Sequence, residues 1–235
     1  MKKNILLIAA LALLTLGFTS CEKQSAGLTR ITYYADIQLE GDDYMVIAKG
    51  STFEDPGYSA TMAGKDVTKD VVVESNVDTS KSGVYSIVYT MVNEDGFASS
   101  DTRTVVVLDL ADPIEGFWAV TPTSFREYNG KQVAYGAPFE ILIIGKGNGV
   151  YSVDDLFAGW YAQRAGYGSN YAMVGTIEIA DDGSITLLKS KVAGWGDSLN
   201  DLTDGKYDAD NKQITYKAIY VETMVFDVTL SKVEL

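Results

Sequence analysis

A chain of 235 residues with 32 acidic and 19 basic side chains, no histidine and one cysteine is barred from much chemistry at the outset. Ser-His-Asp and Cys-His catalysis and His-ligated zinc or iron need an imidazole, an internal disulfide needs a second thiol, and a net charge of −13 opposes binding to nucleic-acid phosphates. With 46% hydrophobic and 11% aromatic residues, 22 Gly and 4 Pro, the composition is that of a folded, turn-rich protein.

The chain opens with Lys2 and Lys3, an apolar run from Ile5 to Leu16, and the small or polar Thr19 and Ser20 before the single cysteine, Cys21. That is the layout of a secretory leader over residues 1-20, its apolar run too short for the roughly 20 residues a spanning helix needs. Phe18-Thr19-Ser20-Cys21 resembles a bacterial lipobox, with Phe18 where most carry an aliphatic residue. The resemblance implies cleavage before Cys21 and acylation of its sulfur and new amino terminus, hence a lipid anchor in the membrane. Cleavage removes Lys2 and Lys3 and no acid, leaving 17 basic and 32 acidic residues, a net of −15. Such a surface has no attraction of its own for anionic lipid. Polar residues 21-30 read as a tether.

Beyond Ile31 no sustained 3.6-residue periodicity is found, whereas short alternating runs bounded by Gly, Asp and Asn recur, which predicts an all-β chain. The runs at 37-39, 44-48, 84-89 and 104-108 read as strands, with Asn93-Glu94-Asp95-Gly96 as a hairpin turn. Asp55-Pro56-Gly57-Tyr58-Ser59-Ala60, Asp66-Val67-Thr68, the strand Gly83 to Tyr89 and Arg103 to Val107 follow one another in an order that resembles the bacterial surface Ig-like domain. The resemblance implies an Ig-like β-sandwich over 31-110, acting as a spacer or presentation module with no catalytic residue. Asp112-Pro113 biases the backbone to extended geometry and predicts a linker.

The aromatic content then rises, from 8 residues in 28-110 to 17 in 111-235, including all three tryptophans. Strands are predicted at 116-118, 139-144, 150-153, 172-179, 185-189, 213-220 and 224-230, joined by short Gly- and Asp-rich turns. Consecutive hairpins make an antiparallel meander over 113-235, which protects its edges by closing as a lipocalin-like barrel or splitting into a two-sheet sandwich. The opening Gly116-Phe117-Trp118 is similar to the first strand of lipocalin-like barrels. The whole arrangement resembles surface lipoproteins of the Bacteroidota encoded beside polysaccharide-uptake systems.

The least sheet-like stretch, 157-171, mixes three Gly with Phe157, Trp160, Tyr161, Tyr167 and Tyr171, and adds Gln163, Arg164 and Asn170. Flat rings beside hydrogen-bond donors suit sugars, whose C–H faces stack on rings while their hydroxyls find polar partners. Trp195, between Gly194 and Gly196, has the same context. Candidate ligand-binding residues are therefore Trp160, Tyr161, Arg164, Tyr167, Tyr171 and Trp195; the same rings can instead plug the barrel. Asp181-Asp182-Gly183 and Asp208-Ala209-Asp210-Asn211 read as turns, since an EF-hand from Asp208 would need Glu where Ile219 stands. Asp154, Asp155, Glu178 and Asp197 are the carboxylates a glycosidase pair would draw on.

The expectation is a non-catalytic lipoprotein of the outer membrane, on its cell-surface or periplasmic face, with no cofactor, no metal and no nucleic-acid partner. It would bind glycan, by its charge a neutral one, through the C-terminal β domain as an accessory to polysaccharide uptake. The alternative is a structural lipoprotein without a sugar site that docks onto an outer-membrane transporter or neighbouring surface lipoprotein.

Overall fold

The computed structural model describes residues 31–234. Cys21, the leader, their expected cleavage and lipidation, and the tether lie outside the described residues.

The first half contains β1 (Asp36–Leu39), β2 (Tyr44–Ala48), β3 (Tyr58–Met62), β4 (Lys65–Asp66), β5 (Val72–Ser75), β6 (Gly83–Val92) and β7 (Ala98–Leu108). They assemble as two sheets, β1-β3-β4 and β2-β7-β6-β5, in which β2 runs parallel to β7. Ile37, Ala60, Val71, Ile87, Tyr89, Met91, Val105 and Val107 form the core between them. Arg103 is wholly buried in this core. Its guanidinium pairs with Asp55 at 3.2 Å and donates to the carbonyls of Glu40 at 2.8 Å, Gly57 at 2.9 Å and Asp42. It thereby ties two irregular segments, 40–42 and 55–57, to β7.

The second half contains β8 (Gly116–Val120), β9 (Phe125–Tyr128), β10 (Lys131–Ala134), β11 (Glu140–Gly147), β12 (Val150–Val153), β13 (Met173–Ile179), β14 (Ile185–Val192), β15 (Asp201–Asp208), β16 (Gln213–Tyr220) and β17 (Met224–Lys232). One ten-stranded sheet holds them all. From β8 it runs through β11, β12 and β13 to β14 in one direction and through β17 and β16 to β15 in the other. It curls until the two ends meet at a seam, bridged by Ser184 and Lys206 and by the Tyr207 amide donating to the Gly183 carbonyl at 2.8 Å. This is the curled, barrel-like member of the two expected forms. It departs from a simple meander in one place: the hairpin β9–β10 is inserted between β8 and β11 and pairs with the first residues of β17. The alternation in β16 and β17, every second residue buried, is what a sheet with one wet and one dry face requires.

Two strands break that alternation. In β7, Val105 and Val107 point into the sandwich core while Val106 and Leu108 pack against Leu142 and Ile144 of β11, with Phe117 beside them. In β11, Ile141 and Ile143 face the curled-sheet core. The last residues of β7 and the middle of β11 are buried on both faces, which is the physical reason for the unbroken apolar runs Val105 to Leu108 and Ile141 to Ile144. The expected linker is consequently a clamped connection. The Asp109 amide donates to Glu115 Oε2 at 2.9 Å and the Ile114 amide to Asp112 Oδ1 at 2.8 Å. Trp118 Nε1 donates to the Ile114 carbonyl at 2.8 Å, and Lys232 donates to the carbonyls of Pro113, at 3.1 Å, and Glu115.

Candidate functional site

At the end of the curled sheet where β12 and β14 finish and β13 and β15 begin, a long loop is organised by one buried carboxylate. Asp155, only 2% exposed, accepts the amides of Phe157 at 2.9 Å, Gly159 at 2.9 Å and Met173 at 2.8 Å. Burial pushes its carboxyl up to about 6, against the three amides that favour its ionised form. The entrance and exit of the 156–172 loop are thus stapled to one side chain, which is what allows so long a connection to hold a shape. With its oxygens engaged by backbone, Asp155 is a structural group and not one of a glycosidase pair. Asp197 accepts the Tyr220 hydroxyl at 2.7 Å, and Asp154 accepts the Leu142 amide at 2.8 Å. Asp182 and Asp208 accept nearby backbone amides, as turn aspartates do.

Inside the loop the chain makes one turn of π-helix at Trp160–Arg164, entered through Gly159 at φ +83°. A β-carbon there would fall 2.6 Å from Phe139 Cβ, so glycine is required for the approach as well as for the angle. A 3-10 turn follows at Ser169–Tyr171. The wide turn distributes the rings unequally. Trp160 points inward and is 4% exposed, edge-on to Tyr135 at 4.9 Å and to Phe226 at 6.0 Å. This corrects the expectation for Trp160: it belongs to the core beneath the loop and presents no face to a ligand, because the turn's first residue faces the sheet interior. Tyr161 is half-buried, its hydroxyl on Met224 Sδ at 3.3 Å.

The remaining predicted rings converge. Trp195, carried by the loop after β14, packs edge-on to Tyr161 at 4.8 Å and Tyr167 at 6.5 Å, against Tyr171 at 5.0 Å, and stacks near-parallel to Tyr220 at 6.3 Å. Tyr167 stacks with Tyr161 at 6.1 Å and meets Tyr171 at 5.5 Å. The two loops are joined by the Gly194 amide donating to the Asn170 carbonyl at 2.7 Å. Gly194 is needed because a β-carbon there would lie 2.6 Å from the Tyr171 ring. Tyr167 at 56% and Trp195 at 39% exposure form the outer surface of the platform, Tyr161 and Tyr171 its half-buried support. Arg164 is exposed, its Cζ 4.3 Å from the Trp160 ring centroid and its Nε donating to the Tyr135 carbonyl at 3.1 Å.

Sequence reasoning missed Tyr135, Tyr220 and Arg126. Arg126 lies on the unpredicted strand β9, with its Cζ 5.0 Å from the same Trp160 ring. The half-polar Phe125-Arg126-Glu127-Tyr128 carries no signal that would have placed it there.

The family described as "Bacterial surface protein, Ig-like domain" matches residues 37–107, and a second family, described as a C-terminal domain, matches 107–232. The lipoprotein BT2262 from Bacteroides thetaiotaomicron is 40% identical, covers 85% of this chain and 100% of its own, and superposes with a TM-score of 0.72. Two structures from Clostridium perfringens ZmpB also match. One, of the M60 catalytic domain with CBM51-1 and CBM51-2, is 16% identical over 53% of this chain and 15% of that one, with a TM-score of 0.28. The other, of CBM51-2 in complex with GlcNAc and INT domains, is 15% identical over 50% and 31%, with a TM-score of 0.26. Similarity that low carries no argument about this chain. No curated protein matches.

Proposed function

The chain belongs to the family of bacterial surface lipoproteins that includes BT2262, and from that premise we propose that it is a non-catalytic, lipid-anchored outer-membrane protein that binds glycan. On this reading it divides into an anchor at Cys21, a tether to residue 30, an Ig-like unit over 31-110 that spaces the site from the membrane, and a binding unit over 113-235. The observation that carries the reading is the platform of Tyr167 and Trp195, two exposed rings on rigid supports, fixed by the Asp155 staple. Exposed rings cost solvation in a soluble protein, and rings already ordered by their neighbours lose little further entropy when a sugar face stacks on them.

The test is a glycan array followed by affinity electrophoresis of the wild type, Tyr167→Ala and Trp195→Ala. Loss of retardation in both variants, with unchanged melting temperatures, is the expected result. A wild type that no polysaccharide retards would overturn the glycan reading and leave the platform as a protein-docking face. Cys21→Ser should separately abolish partitioning into the detergent phase.

A further inference from the structure

We infer that the glycan taken by this site carries acidic groups, and that Arg126 and Arg164 hold a carboxylate or sulfate of one of its sugars beside the aromatic platform. The inference rests on the glycan reading and adds the ligand's charge. Its basis is a contrast among the three arginines in the described residues. Arg103 shows what a structural arginine looks like in this molecule: fully buried, paired with Asp55, and bonded to three carbonyls. Arg126 and Arg164 have no such surroundings. Both lie over one tryptophan, Trp160, at 5.0 and 4.3 Å from its centroid. Among the described residues neither forms an ion pair with a carboxylate, in a chain holding 32 acidic against 19 basic residues.

The two guanidinium groups are also incompletely satisfied. Arg126 Nε is buried without a hydrogen-bond partner, while elsewhere this side chain reaches the Tyr161 hydroxyl. Arg164 spends Nε on the Tyr135 carbonyl and is otherwise exposed. Contact with the Trp160 ring restrains both guanidinium groups in advance, which lowers the entropy lost when an anion binds. Tyr161 links the pair to the platform, since it follows Trp160 in the turn, touches Arg126, and packs on Tyr167 and Trp195. Overall negative charge by itself favours a neutral glycan; two arginines without a carboxylate partner, set over Trp160 next to Tyr161, make a local exception, and repulsion elsewhere would restrict binding to this spot.

The experiment is calorimetric titration of the full-length protein in non-ionic detergent with three probes: polygalacturonate, dextran sulfate and neutral dextran. The variants are Arg164→Gln, Arg164→Lys and Arg126→Lys. An acidic polymer should bind, with the carboxylate and sulfate arms telling which anion is taken. Arg164→Gln should weaken that binding about tenfold or more, as charge-assisted hydrogen bonds allow. Arg164→Lys and Arg126→Lys should weaken it too, because they keep the charge and lose the planar fork. Raised salt should weaken acidic binding in the wild type. Neutral dextran bound as well as the acidic polymers, with the arginine variants unaffected, would overturn this inference and leave the glycan reading standing. Failure of all three probes, together with a blank glycan array, would remove both.

Discussion

Each half of the molecule has a buried charged side chain that gathers loop backbone around it, Arg103 in one and Asp155 in the other, and the two charges are opposite. In the sandwich Arg103 collects the carbonyls of Glu40, Asp42 and Gly57 and has a counter-ion in Asp55. In the curled sheet Asp155 collects the amides of Phe157, Gly159 and Met173 and forms no ion pair among the described residues. Both fasten irregular backbone that no strand partner satisfies, the cation taking acceptors and the anion donors. The lesson is that a buried ion can hold a loop by backbone bonds alone. Only the anion supports the aromatic platform, and only the anion titrates in the ordinary range, since a guanidinium remains charged.

Truncating either ion tests the comparison most severely. Arg103→Ala should cost about 3 to 5 kcal/mol by leaving Asp55 and three carbonyls without their partner. Asp155→Ala should cost about 3 kcal/mol or more by orphaning three buried amides. Denaturant titration gives both values. Fluorescence distinguishes them in the folded state: Asp155→Ala should shift the tryptophan emission, because its loop carries Trp160 and packs on Trp195, whereas Arg103→Ala should leave it unchanged.

Within the platform, Trp160→Ala should cost about 3 to 5 kcal/mol as a core truncation. Trp195→Ala should stay within about 1 kcal/mol, its ring being 39% exposed. Equal losses in thermal unfolding would mean that the platform is core throughout.

The pH dependence of the two ions should also differ. The folded chain holds a proton on Asp155 up to about 6, above the ordinary value of 3.8, so it binds that proton more tightly than the unfolded chain. The associated stability is fully present below about pH 4 and is lost as pH rises through 6, a change on the order of 3 kcal/mol. Asp182 and Asp208, held below the ordinary range by hydrogen bonds from Ser184 and Asn211, act in the opposite direction. Subtracting the unfolding free energy of Asp155→Asn from that of the wild type isolates the Asp155 contribution. A difference flat between pH 4 and 7 would break the contrast with Arg103.

The contact between the halves should give smaller effects than either buried ion. Leu142→Ala should cost about 2 kcal/mol because it removes apolar packing from Val106 and Leu108. Within the first half, Lys49→Ala, which breaks an exposed pair with Asp109 at 3.1 Å, should cost under about 1 kcal/mol. We propose that each half folds alone; fragments 28-110 and 113-235 should then give dispersed amide spectra, with reduced stability where Val106 and Leu142 are uncovered.

Much of the strand framework was legible in the sequence, because one-sided burial writes itself as alternation in stretches such as Gln213 to Tyr220. Strands β9, β10 and β15 of the second half were not, nor were β3, β4 and β5 of the first. Strands β9 and β10 are four-residue polar pieces, and β15 carries a register shift between Thr203 and Lys206, with Asp204 at φ 54°, that interrupts any period of two. Composition marked 157-171 and Trp195 as unlike the sheet around them, and that determined where to look. Tertiary structure alone decided what each ring does there. One turn of π-helix sends Trp160 inward and leaves Tyr167 in water, the Asp155 staple brings Met173 back to Phe157, and the Gly194 bond to Asn170 carries Trp195 to rings more than twenty positions earlier. Local pattern records which residues are buried or exposed along one segment. Which segments meet, and which arginines lie against the same ring, depends on contacts between positions far apart in the chain, and those leave no local period to read.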